Sequence, residues 1–234
     1  MIGRVTWVGV DVVADNLAAR GSSGCAFENV DLEVAAGRLA VLVGSAGSGR
    51  TSLLWALSGR MRLVTGRLVV GGHRYDEDPG AIQDAVAIAR LDPGCVLDPW
   101  LRVEEVIAER ALIGGPQFTE SALAATFATM GAAAPAGQRL VGELAPGEEL
   151  VLAVALAAAQ QPGAVVVDDV GAGCTSSEAR WVWECLRELT FHGCTVIAAA
   201  TAPPPFDDIT VLTLTPPHPT GARAADRSDL QENA

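Results

Sequence analysis

The 234 residues include 28 Asp and Glu against 16 basic residues, a formal net charge of −12, and every basic residue is Arg. A chain without lysine has no Schiff-base or catalytic-lysine chemistry, and its excess of acid argues against nucleic-acid binding, which needs a basic stripe to neutralise phosphates. Half of the residues are apolar and 19% are charged, which is material for one core of ordinary domain size.

Residues 5–8, 30–34 and 39–43 read as short strands separated by Gly-rich punctuation. A helix is predicted over 51–57, stopped by Ser58-Gly59, followed by strands at 68–70 and 86–89. From 103 to 147 the pattern is mainly helical, broken at 114–116 and 131–137. A helix at about 148–159, a strand at 164–167, a helix at 176–189 and strands at 195–199 and 209–214 complete the order. Apolar β-branched strands alternating with helices predict a parallel sheet covered on both faces, an α/β fold. The Pro-rich and then polar segment 216–234 reads as a disordered tail.

The longest apolar stretches, 150–159 and 195–202, fall short of the roughly 20 residues that cross a bilayer. No basic start followed by a long apolar run marks a signal peptide, so a cytosolic setting is expected. Cys25, Cys95, Cys174, Cys185 and Cys194 are odd in number and widely spread, and they read as reduced, mostly buried thiols. His73, His192 and His218 read as surface residues in a turn, at a helix end and in the tail.

The most informative segment is Gly44-Ser45-Ala46-Gly47-Ser48-Gly49-Arg50-Thr51-Ser52. It follows an apolar strand and opens a helix, the context in which a glycine-rich loop aims backbone N–H groups and a helix N-terminus at one anion. A second element, Val165-Val166-Val167-Asp168-Asp169, is an apolar strand ending in two carboxylates. Between them lie Leu144-Ala145-Pro146-Gly147-Glu148 at a helix start and the stretch from Leu91-Asp92-Pro93 through Pro99-Trp100-Leu101 to Val106.

In order and spacing, from about residue 25 to 215, these segments resemble the phosphate loop, magnesium strand, signature and glutamine loop of the ATP-binding subunit of ABC transporters. The resemblance implies a P-loop NTPase-type fold: a mostly parallel sheet with an N-terminal antiparallel β region and a small helical subdomain at about 98–147, within one cassette domain over 1–215. It implies that Gly44 to Ser52 bind ATP, and that Thr51 and Asp168 hold magnesium. Asp169 stands where the family's catalytic glutamate stands. The family also implies an integral membrane permease as partner, gripped near Trp100 and the segment to Arg110. A head-to-tail homodimer, or a heterodimer with a competent cassette, is implied too, peripheral on the inner face of the membrane.

The departures are systematic. Arg50 replaces the loop lysine with a longer, planar guanidinium. Leu91 falls where the family has its glutamine, and Ala145 and Pro146 remove a hydroxyl and an N–H from the signature. Glu148 adds a negative charge there, opposing a phosphate. Asp169 is one bond, about 1.5 Å, shorter than glutamate. The segment from Val170 to Thr175 carries no acidic residue, and Thr201-Ala202 replaces the threonine and histidine expected after the last central strand. Where an adenine-stacking aromatic is expected, the chain has Ala18, Ala19 and Arg20. The reading is therefore a degenerate cassette that binds ATP weakly and hydrolyses it poorly or not at all. The alternative is a cassette-fold scaffold or regulator that binds no nucleotide.

Overall fold

A computed structural model of the protein describes residues 5–21 and 24–216. Residues 217–234, most of the expected tail, and with them His218, lie outside the described residues. Two sheets and six helices are built from this chain. Strands β1 (Val12–Gly21) and β2 (Gly24–Val34) form an antiparallel hairpin, with Val12 opposite Val34. The second sheet begins with β3 (Leu39–Gly44), which runs into the glycine-rich loop and helix α1 (Arg50–Leu57). Strands β4 (Leu63–Val70) and β5 (His73–Arg74) return to the first sheet and give it the order β2-β1-β4-β5. Helix α2 (Pro79–Ala85) precedes β6 (Val86–Arg90). The helices α3 (Val103–Ile113) and α4 (Glu120–Met130) and a 3-10 turn (Val141–Glu143) lead to α5 (Pro146–Ala158). Strand β7 (Ala164–Val167), helix α6 (Ser176–Phe191) and strands β8 (Thr195–Ala200) and β9 (Thr210–Leu214) finish the chain.

The second sheet is parallel throughout, in the order β6-β7-β8-β3-β9. Its central strands β3, β7 and β8 are buried on both faces, and their alternation splits the interior in two. Val41, Val165, Val167, Val196 and Ala198 face a core shared with α3 to α6. Ala40, Leu42, Val166, Ile197 and Ala199 face α1 and the antiparallel sheet. Continuous apolar runs are what a doubly covered parallel strand requires. Helix α6 carries Val182, Cys185, Leu186 and Leu189 on one buried stripe at helical spacing, and its start is fixed by Thr175, whose hydroxyl accepts from the Glu178 N–H.

Three expectations need correction. Residues 5–8 form no strand. Instead the Trp7 N–H donates to the His192 carbonyl at 2.8 Å and its indole N–H to the Ala158 carbonyl at 2.9 Å, tying the chain across the end of the sheet. The first strand is β1, whose alternation is broken at Asn16 (φ +50°) by a shift in register between Ala14 and Leu17. That bulge hides the period-two signal. Of the five thiols, only Cys185 and Cys194 are buried; their burial pushes both up to about 12. Among the described residues no helix is long and apolar enough to cross a membrane.

Candidate functional site

The loop after β3 takes its shape from glycine. Gly47 (φ +77°) and Gly49 (φ +89°) adopt the left-handed region, and a Cβ on Gly49 would overlap the Ala26 carbonyl oxygen of the hairpin above it. Helix α1 then starts with no side-chain cap and no acidic residue in its first turn. Its leading N–H groups are left for an external acceptor. Ser48 is 1% exposed and its hydroxyl is buried without a hydrogen-bond partner. A cavity of about 310 Å³ opens over the loop, roofed by Gly21, Gly24, Cys25 and Ala26.

The acidic pair at the end of β7 reaches the same place from the far side of β8. The Thr51 hydroxyl donates to Asp168 Oδ2, and Asp168 Oδ1 accepts from the Asp169 N–H at 2.8 Å. Asp168 is 3% exposed. Burial raises its carboxyl above the usual carboxylate range, against the opposing pull of the Thr51 hydrogen bond. A hydroxyl and a carboxylate side by side suit a hard cation such as magnesium. Among the described residues no group of three or more His, Cys, Asp or Glu could hold a metal, so phosphate oxygens and water would complete that coordination.

Arg50 is turned inward. Its Nη1 donates to the Gly44 carbonyl and its Nη2 pairs with Asp169 Oδ1 at 3.0 Å, with the arginine side chain 10% and the aspartate 48% exposed. Asp169 itself sits at φ +48°. Its backbone is held by Arg90 at the end of β6, which donates to the Asp168 and Asp169 carbonyls at 3.0 and 2.8 Å and reaches Glu149 on α5 at 3.5 Å. Neither Arg90 nor Glu149 was singled out from sequence. The one available signal was an arginine closing the otherwise apolar strand before Leu91.

Residues 44–52, Asp168 and Asp169 thus converge, while the other segments are placed apart from them or turned away. Leu91 is fully buried, its N–H and carbonyl exchanging bonds of 2.7 Å with Cys95; it is a core residue rather than a polar position left blank. At the start of α5, Glu148 accepts from the Ala145 N–H at 3.1 Å and pairs with Arg139 at 3.1 Å. Thr201 and Ala202 line a separate cavity of about 440 Å³ with Trp183 and the back of Asp169. His73 is exposed, and His192 caps the end of α6 with Nδ1 2.9 Å from the Glu188 carbonyl. Trp100 is 82% exposed, so it does not pack into the helical region.

Comparison with known proteins agrees with this geometry. A family model described as "ABC transporter" matches residues 27–172, which is more than half of the chain. The phosphate-import ATP-binding protein of Mycolicibacterium smegmatis is 28% identical over 207 residues, covering 80% of this chain and 77% of that protein. A pleiotropic ABC efflux transporter of multiple drugs from Candida glabrata is 27% identical over 185 residues, 73% of this chain. The chain spans only 11% of the length of that relative. In three dimensions it matches cbiO1 of Clostridium perfringens, part of the ABC transporter complex cbiONQ, with a TM-score of 0.67, 16% identity, and 90% and 85% of the two chains covered. With a glycine loop between β3 and α1, a buried Thr51–Asp168 contact at its foot and a family match across both, the chain belongs to the ABC transporter family.

Proposed function

We infer that the chain is a degenerate ATP-binding subunit that docks on the cytosolic face of an integral membrane permease, binding ATP with magnesium weakly and hydrolysing it poorly or not at all. The observation that carries this reading is the Arg50–Asp169 ion pair at 3.0 Å. The loop's cation and the carboxylate in the catalytic position neutralise one another. The binding parts stand apart from that pair: the N–H groups at the start of α1, and Thr51 beside Asp168.

Phosphoryl transfer depends on positioned charge and a carboxylate that orients the attacking water. Bound magnesium would neutralise phosphate charge at Thr51 and Asp168. Arg50 must leave Asp169 and the Gly44 carbonyl before it can touch a phosphate, and Asp169, held by a guanidinium and about 1.5 Å short of a glutamate, is a poor base. At the signature, Pro146 lacks an N–H and Glu148 takes that of Ala145, which leaves few donors for a phosphate on an opposing subunit. Such a cassette serves best in a dimer whose other subunit turns over, with Trp100 exposed near the surface that meets the permease.

Steady-state ATPase assay of the full chain and of Asp169→Asn tests the reading. Equal, near-background rates are expected, and turnover abolished by the substitution would overturn it. One observation favours the scaffold alternative: both guanidinium arms of Arg50 already have internal acceptors. A folded chain that takes up no magnesium-ATP at millimolar concentration would decide for the scaffold.

A further inference from the structure

Asp169 enters its ion pair with Arg50 from a left-handed backbone position, at φ +48°. Aspartate is among the few residues that tolerate this region, and it stays there where its surroundings hold it. The pair does not supply that hold. The Asp169 side chain is half-exposed, and such an ion pair contributes little once the entropy of ordering both side chains is counted. What fixes the turn is Arg90. Strand β6 carries a register shift against β7, with Ile88 opposite Val166 and Arg90 opposite Val167, so the bulge at Ala89 brings Arg90 level with the last residue of β7. From there its carbonyl accepts from the Asp168 N–H at 2.9 Å, and its guanidinium returns to the same segment. Nε and Nη2 donate to the Asp168 carbonyl at 3.3 and 3.0 Å, and Nη2 donates also to the Asp169 carbonyl at 2.8 Å. Nη1 lies 3.5 Å from Glu149 Oε2 in the first turn of α5, with the two side chains 14% and 24% exposed.

These contacts make one chain of alternating charge across the strand ends: the Glu149 carboxylate, the Arg90 guanidinium, Asp169, the Arg50 guanidinium and the Gly44 carbonyl. We propose that Arg90 is a positioning residue, a brace that presents Asp169 to Arg50 and lets the start of α5 govern whether the loop's cation is held or free. A planar fork suits the task, since it meets two successive carbonyls and a carboxylate at once, which a compact ammonium does not. Arg90 acts through Asp169: among the described residues none of its side-chain hydrogen bonds goes to residues 44–52. Without the fork the turn relaxes and the carboxylate leaves Arg50 for water. Neutralising Glu149 strips Arg90 of its counter-ion and loosens the same contact from the other end. The proposal rests on the reading above, in which the Arg50–Asp169 pair silences the loop, and says what keeps that pair together.

Arginine labelling of the full chain with phenylglyoxal, read at low conversion by peptide mass spectrometry, tests the brace without any nucleotide. The exposed Arg67 is the reference for free access, and the buried Cys194 thiol, followed with a thiol reagent, reports general unfolding. In the parent chain Arg50 should react about tenfold or more slowly than Arg67. Arg90→Gln should raise the Arg50 rate about threefold or more, the scale of coupling within one hydrogen-bond network, with Cys194 still protected. Asp169→Asn should raise it likewise, and Arg90→Gln added to Asp169→Asn should bring no further rise. Glu149→Gln, a milder change at a partly exposed site, should bring a smaller rise in the same direction, and it carries the test on its own where Arg90→Gln does not fold. An unchanged Arg50 rate in folded Arg90→Gln or in Glu149→Gln would overturn the brace while leaving the ion pair in place. A further rise in the double variant, or a rise in Glu149→Gln that Cys194 follows, would do the same. Arg50 as reactive as Arg67 in the parent chain would instead remove the pair, and with it both the brace and the functional reading above.

Discussion

Helices α1 and α5 each begin at a segment that resembles a nucleotide-contacting motif, yet only one of the two N-termini is open to an anion. Helix α1 follows Gly49, has no capping side chain and no acid in its first turn, and lies beside an unpartnered serine hydroxyl. Helix α5 begins with Pro146, which has no N–H, and carries Glu148 and Glu149 in its first turn. Glu148 turns back to cap Ala145 and pairs with Arg139, while Glu149 reaches Arg90. The macrodipole is common to both; what differs is whether the chain's own carboxylates have already taken the place of the ligand. A helix N-terminus becomes a phosphate site only where its donors stay unsatisfied within the chain.

The difference can be broken first at the loop. Gly49→Ala puts a Cβ into the Ala26 carbonyl at a left-handed position, so the loop and the hairpin must separate. A loss of about 2–4 kcal/mol in urea unfolding is expected, together with loss of any magnesium-ATP binding. Next comes Leu91→Gln, which installs the family's residue. Because Leu91 is fully buried with its backbone paired to Cys95, the new amide would be stranded in the core. About 2–3 kcal/mol of destabilisation follows, with no gain in hydrolysis.

A smaller effect sharpens the other side. Glu148→Ala removes the cap of α5 at a cost of about 0.5–1 kcal/mol and uncovers the Ala145 N–H. Its melting temperature should rise more steeply with added sulfate than that of the parent chain. An equal response would assign the closure of α5 to Pro146 alone.

The mildest change is Asp168→Asn, read as a function of pH. Burial raises the Asp168 carboxyl in the folded chain, so the native state holds that proton more tightly than the unfolded one. The parent chain's stabilising share is complete below the ordinary carboxylate pKa of about 3.9 and is lost as pH rises through the higher native value, with a slope of at most about 1.4 kcal/mol per pH unit. Thermal melts should therefore find Asp168→Asn the more stable chain at pH 7, with the difference vanishing toward pH 3.5. A parent chain that is the more stable one at pH 7 would contradict the sign.

Much of the architecture was legible along the chain because its signals are local. The glycine loop between an apolar strand and a helix, the run of residues 164–167 ending in Asp168, and the breaks at 114–116 and 131–137 on either side of α4 all lie within short windows. Strand β1 was missed because a bulge at Asn16 spoils its alternation, and α2 because seven residues behind Asp78-Pro79 give too short a period to read. Leu91 and Glu148 were read only as departures from a family pattern. Their burial and pairing turn them into a core contact and a helix cap.

By itself the sequence determined the parallel α/β plan, the phosphate loop and the replacement of its lysine, since strand hydrophobicity, glycine spacing and residue identity are properties of the string. It also left Arg50 ambiguous, for in a chain whose cations are all Arg that residue could be a charge-preserving exchange. Only the tertiary structure decided where the guanidinium goes. Asp169 is 119 positions away in the chain, and the two meet because β3 and β7 end at the same edge of one sheet, on either side of β8. An ion pair depends on distance in space, and a long guanidinium reaches a carboxylate two strands away when the fold brings it to 3.0 Å.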